Sequence, residues 1–333
     1  MMKAMISKNL ARNETLVLLV IIGFCIFAAV SDPSFLSIPT LTDLLRGSIV
    51  LTIFAVAAML VLVSGGIDVS FTAIAAFTMY ATAMLLNTYA PGVPWYLALA
   101  LGMVIGACLG SINGALIAGL GLPTLIVTLG TLSVFRGFML TFIGQKQITT
   151  LPSGMREFGR MMMVRGENAD GSFYALPWAF AATIMVVLVT WFILHRTMLG
   201  RSIFAIGGSV ESARRIGINV RATQFFIYVY VGALAGLGGM IHSSMARVAN
   251  PFDLVGLELY VIAAVVLGGA RLAGGYGTLT GTLLGVALIV LVRNSLVVIG
   301  VPATWQSVAV GILILIGTGL PAWQAKRAAA RAA

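Results

Sequence analysis

The sequence predicts an all-α fold, a polytopic transmembrane bundle of about ten helices formed as one domain over residues 1–333. Three observations predict it. Hydrophobic residues make up 60% of the chain and charged residues 9%, where soluble domains carry roughly a quarter charged. Apolar runs recur that approach the roughly 20 residues needed to cross a bilayer. Most charges, prolines and glycine pairs fall between these runs, so the chain's own punctuation cuts it into spans.

Taken in order, the spans lie near 15–31, 43–63, 70–88, 95–118, 122–143, 176–195, 222–246, 257–270, 276–298 and 303–323. The first follows Lys3, Lys8 and Arg12 and has the outline of a signal peptide, yet the rest of the chain is equally apolar and inserts without one. The phrase "SGGIDVS" separates the second span from the third. The eighth is short enough to be broken or re-entrant. Cys25 and Cys108 fall within apolar runs and read as small buried hydrophobes.

An even number of spans returns both termini to one face, and both ends are basic, the second through Lys326, Arg327 and Arg331. By the positive-inside rule that face is cytoplasmic. The same alternation places the 196–222 loop inside, where Arg196, Arg201, Arg214, Arg215 and Arg221 face a single acid, Glu211. The 144–175 loop falls outside, with Lys146, Arg156, Arg160 and Arg165 nearly balanced by Glu157, Glu167 and Asp170. The net charge of +10 is thus an orientation signal. No basic patch interleaved with aromatics points to nucleic acid.

Glycine recurs every fourth residue at Gly102, Gly106, Gly110 and Gly114, and again at Gly277, Gly281 and Gly285. That spacing lines one helix face and lets a second backbone approach closely. Both spans run into a short loop with a proline, Pro123 and Pro302. Spans 2 to 5 and 7 to 10 therefore read as an inverted repeat in which the two glycine-rich helices occupy equivalent places.

Within "GGSVESARRIGINV", Ser209 is placed to cap a short helix with Glu211 in its first turn, and Gly217 to end it. So short a helix needs a surface to lie on. Val210, Ala213 and Ile216 offer an apolar face for a partner's groove, with Arg214 and Arg215 at its rim, although the same basic residues would also serve as plain inside markers. No phosphate-binding lysine loop exists, since the lysines are Lys3, Lys8, Lys146 and Lys326. His195 and His242 lie far apart near span ends, and no catalytic or metal-binding constellation accompanies them.

Several phrases together resemble the membrane subunits of bacterial ABC importers for monosaccharides, the ribose-permease type, relatives of the branched-chain amino acid permeases. They are "SGGIDVS" at 64–70, "GSINGALIAGLGLPTLIVTLGTLSVFRGFML" at 110–140, "GRSIFAIGGSVESARRIGINV" at 200–220, "LAGLGGMI" at 234–241, "AVVLGGARLAGGYGTLTGTLLG" at 264–285 and "GVPATWQ" at 300–306. The resemblance implies a permease in the bacterial inner membrane, in contact with lipid. It implies a second permease subunit, same or homologous, two cytosolic ATPase subunits that use the ATP, and a periplasmic sugar-binding protein. It maps a coupling helix onto Ser209–Gly217, and likens spans 2 to 5 and 7 to 10 to those of the vitamin B12 importer. The chain departs from the family at Phe71, Thr72, Ala73 and Ser295, and its 144–175 loop, with the turn-forming "ENADGS", looks long enough to help seat the binding protein.

A path for polyols needs hydrogen-bonding groups without tight binding. Asn113, Thr124, Thr128, Thr131, Ser133, Tyr80 and Gln306 are candidates, although threonine hydroxyls also bond back to their own helix. Asp68, after the glycine pair, is placed either to cap the helix that begins near Ser70 or to meet solute, and Arg136 is the deepest-looking charge. Asp43 and Arg46 are spaced to pair, while Glu258 and Arg293 fall near outer ends where snorkelling accommodates charge. Rival readings are a permease for branched-chain amino acids or a furanose-like signal, an ion-coupled transporter, which lacks the needed carboxylate pairs, and a membrane enzyme, which lacks a nucleophile and base.

Overall fold

The computed structural model describes residues 13–298 apart from Asp32, Ala169 and Asp170, and beyond them only Pro302, Trp305, Val308, Gly311, Ile312 and Leu315. Helix α1 (Asn13–Ser31) lies on the flank. Helix α2 (Ile38–Val63) starts where the Ser37 side chain accepts the Thr40 amide, with proline in its first turn, where an amide donor would be unsatisfied anyway. Every residue from Leu51 to Val63 is buried. A helix apolar on all sides belongs in the middle of a bundle.

Around it stand α3 (Phe71–Tyr89), α4 (Trp95–Gly114) and α5 (Thr124–Phe138), the last two running into single wide π turns at Ala115–Gly119 and Met139–Ile143. After the extramembrane α6 (Ser153–Arg160) and an antiparallel hairpin of β1 (Met162–Glu167) and β2 (Phe173–Pro177) come α7 (Ala179–Arg196), α8 (Met198–Gly208) and α9 (Val210–Arg215). Then follow α10 (Val220–Ala246), α11 (Leu257–Leu267) and α12 (Leu279–Val298). Seven of the described helices, α1 to α5, α7 and α10, are long and apolar enough to cross a membrane.

The eighth expected span contracts to α11, whose 11 residues rise about 16 Å, half a bilayer. The ninth begins at Leu279, which leaves Gly277 in the loop before the helix and off its glycine face. The tenth, and Gln306 with it, lies almost wholly outside the described residues. The 144–175 segment is built rather than loose: Phe158 of α6 stacks on Trp95 at 5.5 Å between ring centroids, and Ser153 donates to the Pro91 carbonyl.

Helix directions alternate, and the turns sort to two ends. At one end 90–94, the 144–178 segment and 244–250 meet, joined by the Ile148–Ala249 bridge. At the other the chain after α2 meets α8 and the 270–275 loop, where the Gly275 amide donates to the Val63 carbonyl at 2.9 Å.

The densest contact is α4 against α10. A Cβ on Gly106 would overlap the Gly232 carbonyl, one on Gly110 the Tyr228 carbonyl, while Gly102 and Gly114 pack on Met240 and Phe225. Glycine on both helices is what lets these backbones touch. In α12 the same device serves another neighbour: Gly281 and Gly285 abut Gly268 and Ala264 of the α11 region. The two stripes thus lie against different neighbours, α10 for the first and the α11 region for the second.

Two smaller expectations also change, and one contact is added. Cys108 is exposed and Cys25 half-buried. Asp43 and Arg46 form no ion pair among the described residues; both are exposed, where pairing gains little. Arg293 lies over the Tyr260 ring at 5.0 Å.

Candidate functional site

Between α2 and α3 the chain leaves helical form over 64–70, and a broken backbone in a bilayer needs every N–H and C=O satisfied by protein. Two threonines one turn apart on α5 do this for Ile67. The Ile67 amide donates to Thr124 Oγ1 at 3.1 Å, and Thr128 Oγ1 donates to the Ile67 carbonyl at 3.2 Å. Thr131, the third of the predicted face, is buried but bonds only within its own helix.

Asp68 is 3% exposed, and its Oδ1 accepts both the amide and the hydroxyl of Ser70 at 2.7 Å. Through Ser70, the residue before Phe71, it fixes the turn from which α3 starts. Asn113 of α4 completes the chain by donating to Ser70 Oγ at 2.8 Å. Asp68, Asn113, Thr124 and Thr128, which are scattered over sixty residues, thus converge on one helix start. Asp68 Oδ2, Asn113 Oδ1 and the Tyr228 hydroxyl of α10 are buried there with no well-formed hydrogen bond.

Arg136 borders a small pocket higher in the bundle with Thr72, Leu254 and Glu258. Glu258 also bonds to the helix beside it. Its Oε2 accepts from Thr72 Oγ1 at 3.0 Å, two residues beyond Ser70, so the start of α11 meets the start of α3 inside the bundle. The signal was in the sequence as the short eighth span.

The break is tied to α9 through glycine. Gly65, Gly207 and Gly274 meet backbone to backbone, and a Cβ on Gly207 would overlap the Val63 carbonyl. One residue past α8, Ser209 accepts the Ser212 amide and starts α9, while Gly217 ends it at φ +85°. Ala213 is 1% exposed and packs with Ile206 and Val220. It anchors the helix and faces inward, whereas Val210, Arg214 and Ile216 are exposed, the last 74%. Glu211 and Arg215 pair one turn apart on that outer surface.

His195 stacks on Trp191, and His242 faces Asp253 at 3.4 Å. Among the described residues no group of three or more acidic, histidine or cysteine side chains could hold a metal.

A multi-pass bundle that buries a polar turn between two helices, and ties it to a short exposed helix at one end, has the build of a membrane transport subunit. The chain belongs to the family described as branched-chain amino acid transport system / permease component, whose model matches residues 40–317. It is 37% identical over 293 residues to the ribose import permease protein RbsC of Bacillus subtilis, covering 87% of each chain. It is 30% identical over 303 residues to the autoinducer 2 import system permease protein LsrC of Salmonella typhimurium, covering 91% of this chain and 84% of the relative. The Escherichia coli LsrC is 31% identical over the same length. No solved structure matches the chain. As a permease component it is a multi-pass membrane subunit without an ATPase site of its own, working with ATPase and substrate-binding partners.

Proposed function

We propose that this chain is the membrane-spanning permease of an ATP-driven importer for a monosaccharide or related small polyol, set in a bacterial inner membrane. The observation that carries this reading is the near end-to-end similarity to a ribose import permease, 37% over 87% of both chains. The relatives named for autoinducer 2 widen the cargo toward small oxygen-rich solutes, and neither name favours branched-chain amino acids.

In this reading the end that bears α9 is cytoplasmic, with both termini there, and Glu211, Arg214, Arg215 and Ile216 meet the ATPase subunit. Ser209 and Gly217 bound the helix, and Ala213 fixes it to the permease. The 144–178 segment faces the binding protein, and a second permease, identical or homologous, completes the path. Asp68, Asn113, Thr124 and Thr128 hold the polar turn beside that path, and Arg136 and Glu258 border it. Packing supports two inverted halves like those of the vitamin B12 importer: α10 packs on α3 and α4 as α2 packs on α11 and α12.

The test is uptake of labelled D-ribose into proteoliposomes holding the assembled importer. Uptake is expected only with ATP and the ATPase subunits present. Accumulation by this chain alone on an ion gradient would overturn the reading.

A further inference from the structure

At the α9 end a cavity of about 270 Å³ opens between the helix break, the start of α5, the end of α8 and the flank of α10. Its polar lining consists of Ser64, Thr124, Ser209, Gln224 and Tyr228 together with glycine backbone. No charged side chain borders it. Tyr228 is 2% exposed, and its hydroxyl lines this cavity with no well-formed hydrogen bond. A buried hydroxyl left without a partner costs free energy unless something enters to pair with it.

We propose that this cavity is a binding site for a neutral polyhydroxy solute of monosaccharide size, reached from the α9 end. The site rests on the reading of the chain as a polyol permease and deepens it. The chemistry is that of carbohydrate recognition: hydroxyls and a primary amide exchange hydrogen bonds with hydroxyls, and glycine backbone lets a ring approach closely. Ser209 gives the site a consequence, because it lines the cavity and also caps α9. Solute held there bridges the helix break and the base of the exposed helix, so a filled cavity opposes their relative movement. On a cytoplasmic face that makes it an exit site through which accumulated product slows its own import.

Gly208 supplies the means of filling it. It borders the cavity, and a Cβ there meets nothing within 4 Å. The experiment uses the assembled importer in nanodiscs, with Cys25 and Cys108 replaced by serine and Gln224→Cys as a reporter at the rim. The rate of maleimide labelling is measured with D-ribose, D-xylose or D-glucose, and with ribose 5-phosphate as the charged comparison. At least one neutral sugar is expected to slow labelling three-fold or more at millimolar concentration, while the phosphate does not. Gly208→Leu and the conservative Tyr228→Phe are each expected to raise the sugar concentration needed about ten-fold. Labelling that none of the three sugars slows overturns the site, as does protection that persists in Gly208→Leu. The two readings fail separately: protection without any ATP-driven polyol uptake sinks the import function, whereas normal uptake without protection sinks only this site.

Discussion

Thr128 occupies a position where one hydroxyl decides whether a backbone carbonyl has a partner. Valine has nearly the same shape, so Thr128→Val leaves packing in place and removes the bond to the Ile67 carbonyl. An orphaned buried acceptor costs about 1–3 kcal/mol. Thr131→Val removes only a 3.4 Å bond inside its own helix. Detergent-purified Thr128→Val is expected to melt several degrees lower and to transport less, with Thr131→Val close to the parent. Equal melting of the two variants would show that the α5 threonines do not hold the break. The sequence exposed the three threonines as polar residues on one face, but not what they clasp. Their partner lies 57 and 61 residues away, beyond the reach of any local pattern.

Helix α9 is an element whose two faces do different work. Its six residues are too few to be stable alone, so the buried Ala213 side chain must hold it to α8 and α10. The Ser209 cap, the Gly217 stop and the acidic first turn were legible because capping is local chemistry. Which apolar residue points inward was not, because Val210, Ala213 and Ile216 have the same helical spacing whichever side a partner takes. Ile216→Asp combined with Arg214→Glu is therefore expected to abolish co-purification of the ATPase subunits while the permease keeps its melting temperature. Ala213→Leu overfills a closed site and is expected to lower the melting temperature. If Ala213→Leu melted normally while Ile216→Asp unfolded the chain, the assignment of faces would be reversed.

The whole molecule is ordered by alternation, and alternation was the most legible feature of the sequence. Apolar runs and their breaks placed the described spans within a few residues, since a bilayer imposes length and polarity on each segment separately. The short α11 was legible as a short eighth span, but the contact of its Glu258 with Thr72, 186 residues away in sequence, was not. Alternation sends α8 and α9 to one end with Arg196, Arg201, Arg214, Arg215 and Arg221, and sends α6 and the hairpin to the other with mixed charge. If the positive-inside rule orients the bundle, the two ends must differ in access from outside the cell. In a chain without Cys25 and Cys108, a cysteine at Ser212 probes the outer surface of α9, and one at Phe173, 75% exposed, probes the hairpin. With a membrane-impermeant maleimide on spheroplasts, Phe173→Cys is expected to label at once and Ser212→Cys only after lysis. The opposite pattern would turn the permease over, leaving α9 out of reach of any cytosolic ATPase and the proposed exit site on the side from which solute arrives.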